Sequence, residues 1–262
     1  MAPPTDHKDD LSQHSSELLP PQDSVHNLLD RTWTVPWHAH IAPLVLGGIT
    51  AIIWLKTSHN GDMPNWALSW HALREGRAAT IATHIFAHGG LLHLFMNVGA
   101  MLLLSGPLVS RLGTPPLSWA RFLYLYFGSG VLGGLLFLAM HTSRDGSMLG
   151  ASGALFGVLG ALARVHPATG EVVAVRSVRT WSLAKLFLQN HLVLFALVFL
   201  MALVTGVAQG LAWQAHLGGM LFGFFAAPLY LPKSQTDPNS GGTGRRRAST
   251  VGPPADQDTE GP

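Results

Sequence analysis

Cysteine is absent from the 262 residues, which removes disulfides, thiolate nucleophiles and cysteine-ligated metals and leaves the compartment unread by redox chemistry. Charge is scarce too. Asp, Glu, Lys and Arg make up 11% of the chain, the net charge is +2, and the arginines are scattered over connecting segments, so no nucleic-acid partner is expected. All fourteen acids fall outside the long apolar runs, which denies any chemistry buried in those runs a carboxylate of its own. What is abundant points to a bilayer: 48% of residues are hydrophobic, 29 are glycine, and the mean hydropathy is +0.28.

Runs of roughly 17 to 25 apolar residues, the length that crosses a hydrocarbon core of about 30 Å, predict six membrane spans. They fall at 35–55, 84–104, 119–141, 149–166, 187–205 and 211–231. The polar stretch before the first run carries Asp6, Asp9, Asp10 and Glu17 and does not resemble a signal peptide, so the first run is read as a retained span. The segments 1–34 and 232–262 are polar, rich in Ser, Pro, Asp and Gly, and are predicted to be disordered tails flanking a membrane domain over 35–231. With an inside amino terminus, twelve of the sixteen lysines and arginines lie in inside segments and four outside. This bias predicts an integral protein of a prokaryotic plasma membrane with both termini in the cytoplasm.

The first span carries Pro36, Pro43 and a Gly47-Gly48 pair, with Trp33, Trp37 and Trp54 as interfacial anchors, and reads as a supporting helix. The outside connection from Lys56 to Thr83 contains Trp66, Leu68, Trp70 and Leu73. It reads as an interfacial amphipathic element, with a partly folded external loop as the alternative. The third span has Gly128, Gly130, Gly133 and Gly134, a pattern suited to close helix packing. The fifth span, from Phe187, reads as uniformly apolar, facing lipid or acting as a movable wall.

Polar residues inside such runs are costly and therefore informative. The second span holds His84, His88, His93 and Asn97. His93 and Asn97 stand four apart on one helical face, whereas Gly89-Gly90 sets His84 and His88 at the start, where bonds to backbone carbonyls would account for them. The fourth span begins Gly150-Ala151-Ser152-Gly153, with Phe156 one turn on and Gly157 completing a small-xxx-small pair. The sixth has His216 near its start, then Gly219 and Gly223. Ser152 and His216 both stand near the outside ends of helices whose glycines permit close approach, so they can meet, and a serine within reach of an imidazole becomes a nucleophile. Without a carboxylate in the spans the economical arrangement is a Ser-His dyad, with Asp145 in the adjoining loop as the remaining candidate for a third member. Phe156 is placed to hold the imidazole by packing. The Ser152 N–H at the helix start, with His93 and Asn97, offers donors to an oxyanion. His84 and His88 have the i, i+4 spacing of zinc ligands, but HExxH is absent and no acid accompanies them, so neither metal nor cofactor is expected. A small transporter is disfavoured because no acid lies within the spans and no inverted repeat is evident.

Gly150-Ala151-Ser152-Gly153, His216 followed by Gly219 and Gly223, and His88, His93 and Asn97 on the second, fourth and sixth of six spans together resemble the rhomboid intramembrane serine proteases over residues 35–231. The resemblance implies an all-α six-helix membrane bundle with a membrane-embedded first outside loop. It implies Ser152 as nucleophile, His216 as base, an oxyanion hole of His93, Asn97 and the Ser152 amide, and His88 in support of that cavity. It also implies a lateral gate and cap formed by the fifth span and residues 206–210. The substrates implied are single-span membrane proteins, cut near the outer face at small residues followed by helix-weakening ones. Two departures stand out. Ala79 and Thr80 occupy the place of a Trp-Arg pair frequent in the family, with Arg77 close but out of register, and Phe156 stands where some members have tyrosine. A catalytically silent rhomboid-like client-binding protein is the alternative of a different class.

Overall fold

The computed structural model describes residues 35–141, 146–166, 170–205 and 211–232. The two expected tails, Asp145 and the 206–210 connection lie outside the described residues. Six long helices follow one another: α1 (Ile41–Asn60), α2 (Leu91–Arg111), α3 (Leu117–Met140), α4 (Ser152–Ala163), α5 (Val178–Thr205) and α6 (Trp213–Tyr230). The fold is an all-α polytopic membrane protein. Among the described residues, Trp37–Asn60, Leu91–Arg111 and Leu117–Met140 are long and apolar enough to cross a membrane by themselves.

Helix boundaries depart from the apolar runs wherever a polar or glycine signal outweighs hydropathy. The second helix starts at Leu91 rather than 84, because the chain from His84 makes one 3-10 turn and then passes through Gly89 and Gly90. The fifth starts at Val178 rather than 187, where the Ser177 hydroxyl accepts the Thr180 N–H at 3.1 Å as a cap. The first runs on to Asn60 and stops at Gly61, whose φ of 72° is the left-handed conformation that ends helices.

α4 is the shortest of the six. Twelve residues span about 18 Å at 1.5 Å each, roughly 12 Å less than a hydrocarbon core of about 30 Å, so α4 alone does not cross it. The backbone leading into α4 is not helical, and in hydrocarbon its polar groups need partners within the protein. The first outside loop supplies them. Leu68 and Met148 exchange both backbone hydrogen bonds, at 2.8 and 2.9 Å, and the Gly150 N–H donates to the His84 carbonyl at 2.9 Å.

That loop is itself built from short turns, Met63–Trp66, Trp70–Arg74 and Thr80–Thr83. The Ser69 hydroxyl caps the second by accepting the Ala72 N–H at 3.0 Å. Arg77 forks onto Glu75, at 3.1 Å from Nε and 2.6 Å from Nη2, and donates to the Asn65 carbonyl at 3.2 Å. The bonded Arg77 guanidinium holds the Glu75 carboxyl below its usual range. Arg77, out of register with the family's pair, thus ties two turns of the loop together. Trp70 adds an anchor through its indole N–H to the Leu138 carbonyl at 2.9 Å. Leu68 and Ala72 are fully buried, so the loop is seated in the fold rather than merely interfacial.

α6 lies against α3 and α4 with backbone touching backbone. A Cβ on Gly153 would stand 3.2 Å from the Ala215 carbonyl oxygen, and one on Gly219 would overlap the Gly153 carbonyl. The small-xxx-small pairs of α4 and α6 therefore mesh. The glycines of α3 divide between two tasks. Gly133 admits the Ala215 backbone, as expected of helix packing, whereas Gly130 and Gly134 make room for Ile85 and Leu68 of the first loop.

Candidate active site

Ser152 opens α4 directly after Gly150 and Ala151. Gly150 has φ 120°, outside the range comfortable for other residues, and a Cβ there would lie 2.8 Å from the His93 ring. The turn that presents the serine thus needs glycine for its conformation and for the imidazole beside it. Ser152 is half-buried, with its hydroxyl turned to α6.

His216 lies in the first turn of α6, 3% exposed, and its Nε2 is 2.7 Å from Ser152 Oγ. The meshed glycines below bring these helices close enough for that distance. Phe156, one turn past Ser152, stacks on the imidazole with centroids 4.5 Å apart and planes at 29°. Ser152, His216 and Phe156 thus stand together.

His88 sits in the segment before α2. Its Nδ1 lies 3.2 Å from the Phe86 carbonyl, which can only accept, so Nδ1 carries the proton. Nε2 is then free to accept the Ala151 N–H at 3.4 Å, next door to the serine. The His88 carbonyl in turn accepts the Trp54 indole N–H at 2.9 Å, linking α1 to this segment. His84, fully buried, puts Nδ1 2.9 Å from the Thr80 carbonyl. Backbone bonding thus accounts for both histidines.

His93 reaches the site edge-on to His88, at 4.9 Å between centroids, with its ring against Gly150. The Gly89 N–H points at His93 Nδ1 at 3.4 Å, and since an amide can only donate, the neutral ring keeps its proton on Nε2, the nitrogen beside Gly150. Asn97 is buried on the same face and gives one of its two amide N–H groups to the His93 carbonyl at 2.8 Å. His93 thus has a donor turned to the serine turn, and Asn97 has one N–H held within its own helix and a second left to donate.

The fifth helix differs from its expected uniformly apolar character. Its Leu188, Leu192, Val193, Phe195 and Phe199 are exposed as a lipid-facing wall would be, yet His191 is 5% exposed and points inward. Its Nε2 lies 2.9 Å from His216 Nδ1, and its own Nδ1 lies 2.8 Å from the Phe187 carbonyl. Phe156 and Phe187 flank it at 5.0 and 4.0 Å. The signal was present in the sequence as Gln189-Asn190-His191, three polar residues inside an apolar run, and was hidden by averaging hydropathy over the span.

Comparison with known proteins agrees with the geometry. The family model described as Rhomboid domain matches residues 75–233, which is more than half the chain. RHOMBOID-like protein 5 of Arabidopsis thaliana is 28% identical over 172 residues, covering 64% of this chain and 49% of that protein. Rhomboid protease GluP of Bacillus subtilis (strain 168) is 29% identical over 181 residues, 68% of this chain and 30% of that protein. Inactive RHOMBOID-like protein 8 of Arabidopsis thaliana is 34% identical over 96 residues, 36% of this chain and 25% of that protein. The matched part of this chain corresponds to between about a third and a half of the length of the first relatives.

Proposed function

The chain belongs to the rhomboid family, and from that premise we propose that it is an intramembrane serine endopeptidase that cleaves single-span membrane proteins in the outer part of the bilayer. One observation carries the reading: the 2.7 Å contact between Ser152 Oγ and His216 Nε2, made across two helices by residues 64 apart. One relative's name contains the word inactive, so family membership alone does not decide activity, and a nucleophile already bonded to its base favours the active reading over a client-binding one.

In the reaction proposed, Ser152 Oγ attacks the scissile carbonyl carbon while its proton passes to His216 Nε2. The carbonyl oxygen takes up the negative charge, opposite the Ser152 N–H at the start of α4 and the Nε2–H of His93. Asn97 joins them through the second N–H of its amide, the first staying on the His93 carbonyl. Collapse of the tetrahedral intermediate breaks the C–N bond, and His216 returns its proton to the leaving amine, which departs and leaves an acyl-serine. Water then repeats the sequence against the ester, with His216 again taking and returning the proton. The imidazolium that forms twice in this cycle lies on the face of Phe156.

The short α4 supports the site of cleavage, because a serine at the end of a helix too short to cross the core is reached by a peptide segment that leaves its helix within the bilayer. Substrates with helix-weakening residues beyond a small residue fit that requirement. The excess of basic residues in inside segments supports both termini on the cytoplasmic side of a plasma membrane. Purified protein incubated with such a single-span substrate is the test, comparing wild type with Ser152→Ala and His216→Ala. Cleavage by the wild type alone is expected, and equal cleavage by all three would overturn the assignment.

A further inference from the structure

We propose that His191 is a positioning residue for His216, the outer member of an array Ser152–His216–His191 that ends on a backbone carbonyl. The inference rests on the Ser152–His216 reading and adds to it what sets the imidazole's tautomer.

The Phe187 oxygen can only accept, so His191 Nδ1, 2.8 Å away, carries the proton. Neutral His191 then has a bare Nε2 that can only accept, and it faces His216 Nδ1 at 2.9 Å. His216 Nδ1 is therefore protonated and its Nε2 is bare. That bare nitrogen is the one 2.7 Å from Ser152 Oγ, where a proton acceptor is needed. One fixed carbonyl thus selects the reactive tautomer of His216 two hydrogen bonds away, the task a carboxylate performs in a serine triad.

Packing supports a defined geometry. Of Gln189, Asn190 and His191, the first two are exposed and only His191 turns inward. Its ring lies between Phe156 and Phe187 and meets the His216 ring edge-on at 61°. When His216 accepts the serine proton it becomes an imidazolium that keeps its Nδ1–H, and the bond to His191 Nε2 becomes charge-assisted and stronger at that moment. A contact stronger in the transition state than in the resting enzyme raises turnover rather than binding.

His191→Phe keeps a ring between the two phenylalanines and removes both nitrogens, whereas His191→Gln offers an amide oxygen at the Nε2 position. Each is compared with wild type and Ser152→Ala for kcat and KM on a single-span substrate, for the rate of Ser152 labelling by a fluorophosphonate, and for thermal unfolding in micelles. We expect His191→Phe to lower kcat and the labelling rate together by about 10- to 100-fold, with KM and unfolding temperature little changed and with part of the loss recovered in His191→Gln. An unchanged labelling rate in His191→Phe overturns the proposal, and so does a loss that tracks unfolding temperature or that Gln fails to recover. Wild type that neither labels at Ser152 nor cleaves overturns the parent reading and this one with it. Labelling and cleavage by wild type but not Ser152→Ala keep the parent reading, so either failure is recognised separately.

Discussion

Gly223 and Gly157 meet backbone to backbone: a Cβ on Gly223 would overlap the Gly157 carbonyl group. One turn nearer the serine the same relation holds between Gly219 and Gly153, and beyond these steps Ser152 and His216 come to 2.7 Å. The distance between nucleophile and base is thus set by hydrogen side chains two turns away.

Gly223→Ala is therefore expected to act on stability and catalysis together. A methyl group pushed against a carbonyl cannot be relieved by a rotamer change, so α4 and α6 must separate, at about 1–3 kcal/mol for an overpacked site. Scanning calorimetry or tryptophan fluorescence in micelles should show a lowered unfolding temperature, and substrate cleavage should fall with it. Gly48→Ala is the control, since a Cβ at Gly48 meets nothing within 4 Å and the change favours the helix. Equal unfolding temperatures and cleavage rates for Gly223→Ala and Gly48→Ala would show that the helix contact does not govern the site.

Much of this arrangement was legible in the sequence, for a physical reason. A serine and a histidine within apolar, glycine-rich runs have few comfortable places to go, so Ser152 and His216 stood out, and the paired glycines said where their helices touch. Phe156 followed from its one-turn offset. What stayed hidden lacked a local signature. His191 was masked because hydropathy averaged over 187–205 swamps three polar residues. Gly130 and Gly134 look like helix-packing glycines, yet they receive Ile85 and Leu68, a contact between a loop and a helix that follows no period. The exchange of hydrogen bonds between Leu68 and Met148 joins segments 80 residues apart and left no trace in either.

Phe156 gives a prediction that separates aromatic support from mere bulk. Its ring lies on the face of His216, where it fixes the plane of the imidazole and meets the charge that develops on it. Phe156→Leu fills most of the space without a π face and should lower kcat up to roughly tenfold, in line with about 0.5–1.5 kcal/mol for an aromatic pair, while leaving KM near the wild-type value. Phe156→Tyr keeps the face and should retain most of the activity. Steady-state kinetics on one substrate compare the three, and a Leu variant as active as the Tyr variant would remove stacking from the mechanism.

His93 and Asn97 each hold an N–H in the resting structure that can turn to the oxyanion. His93 keeps its Nε2 proton through the Gly89 N–H on its other nitrogen, and that proton is free for a developing charge. Asn97 gives one amide N–H to the His93 carbonyl at 2.8 Å and has the second N–H of the same NH2 group for the oxyanion. Truncating His93 to alanine would also empty the space against Gly150 and His88, so His93→Phe, which keeps a ring and deletes the donor, is the sharper variant. Asn97→Leu likewise removes the amide and keeps the volume. Both should lower kcat by up to roughly 10²- to 10³-fold with smaller changes in KM, as donors that act on the transition state do. Single-turnover kinetics at saturating substrate isolate the chemical step. Unchanged rates in both variants would leave the Ser152 amide as the sole donor among these three.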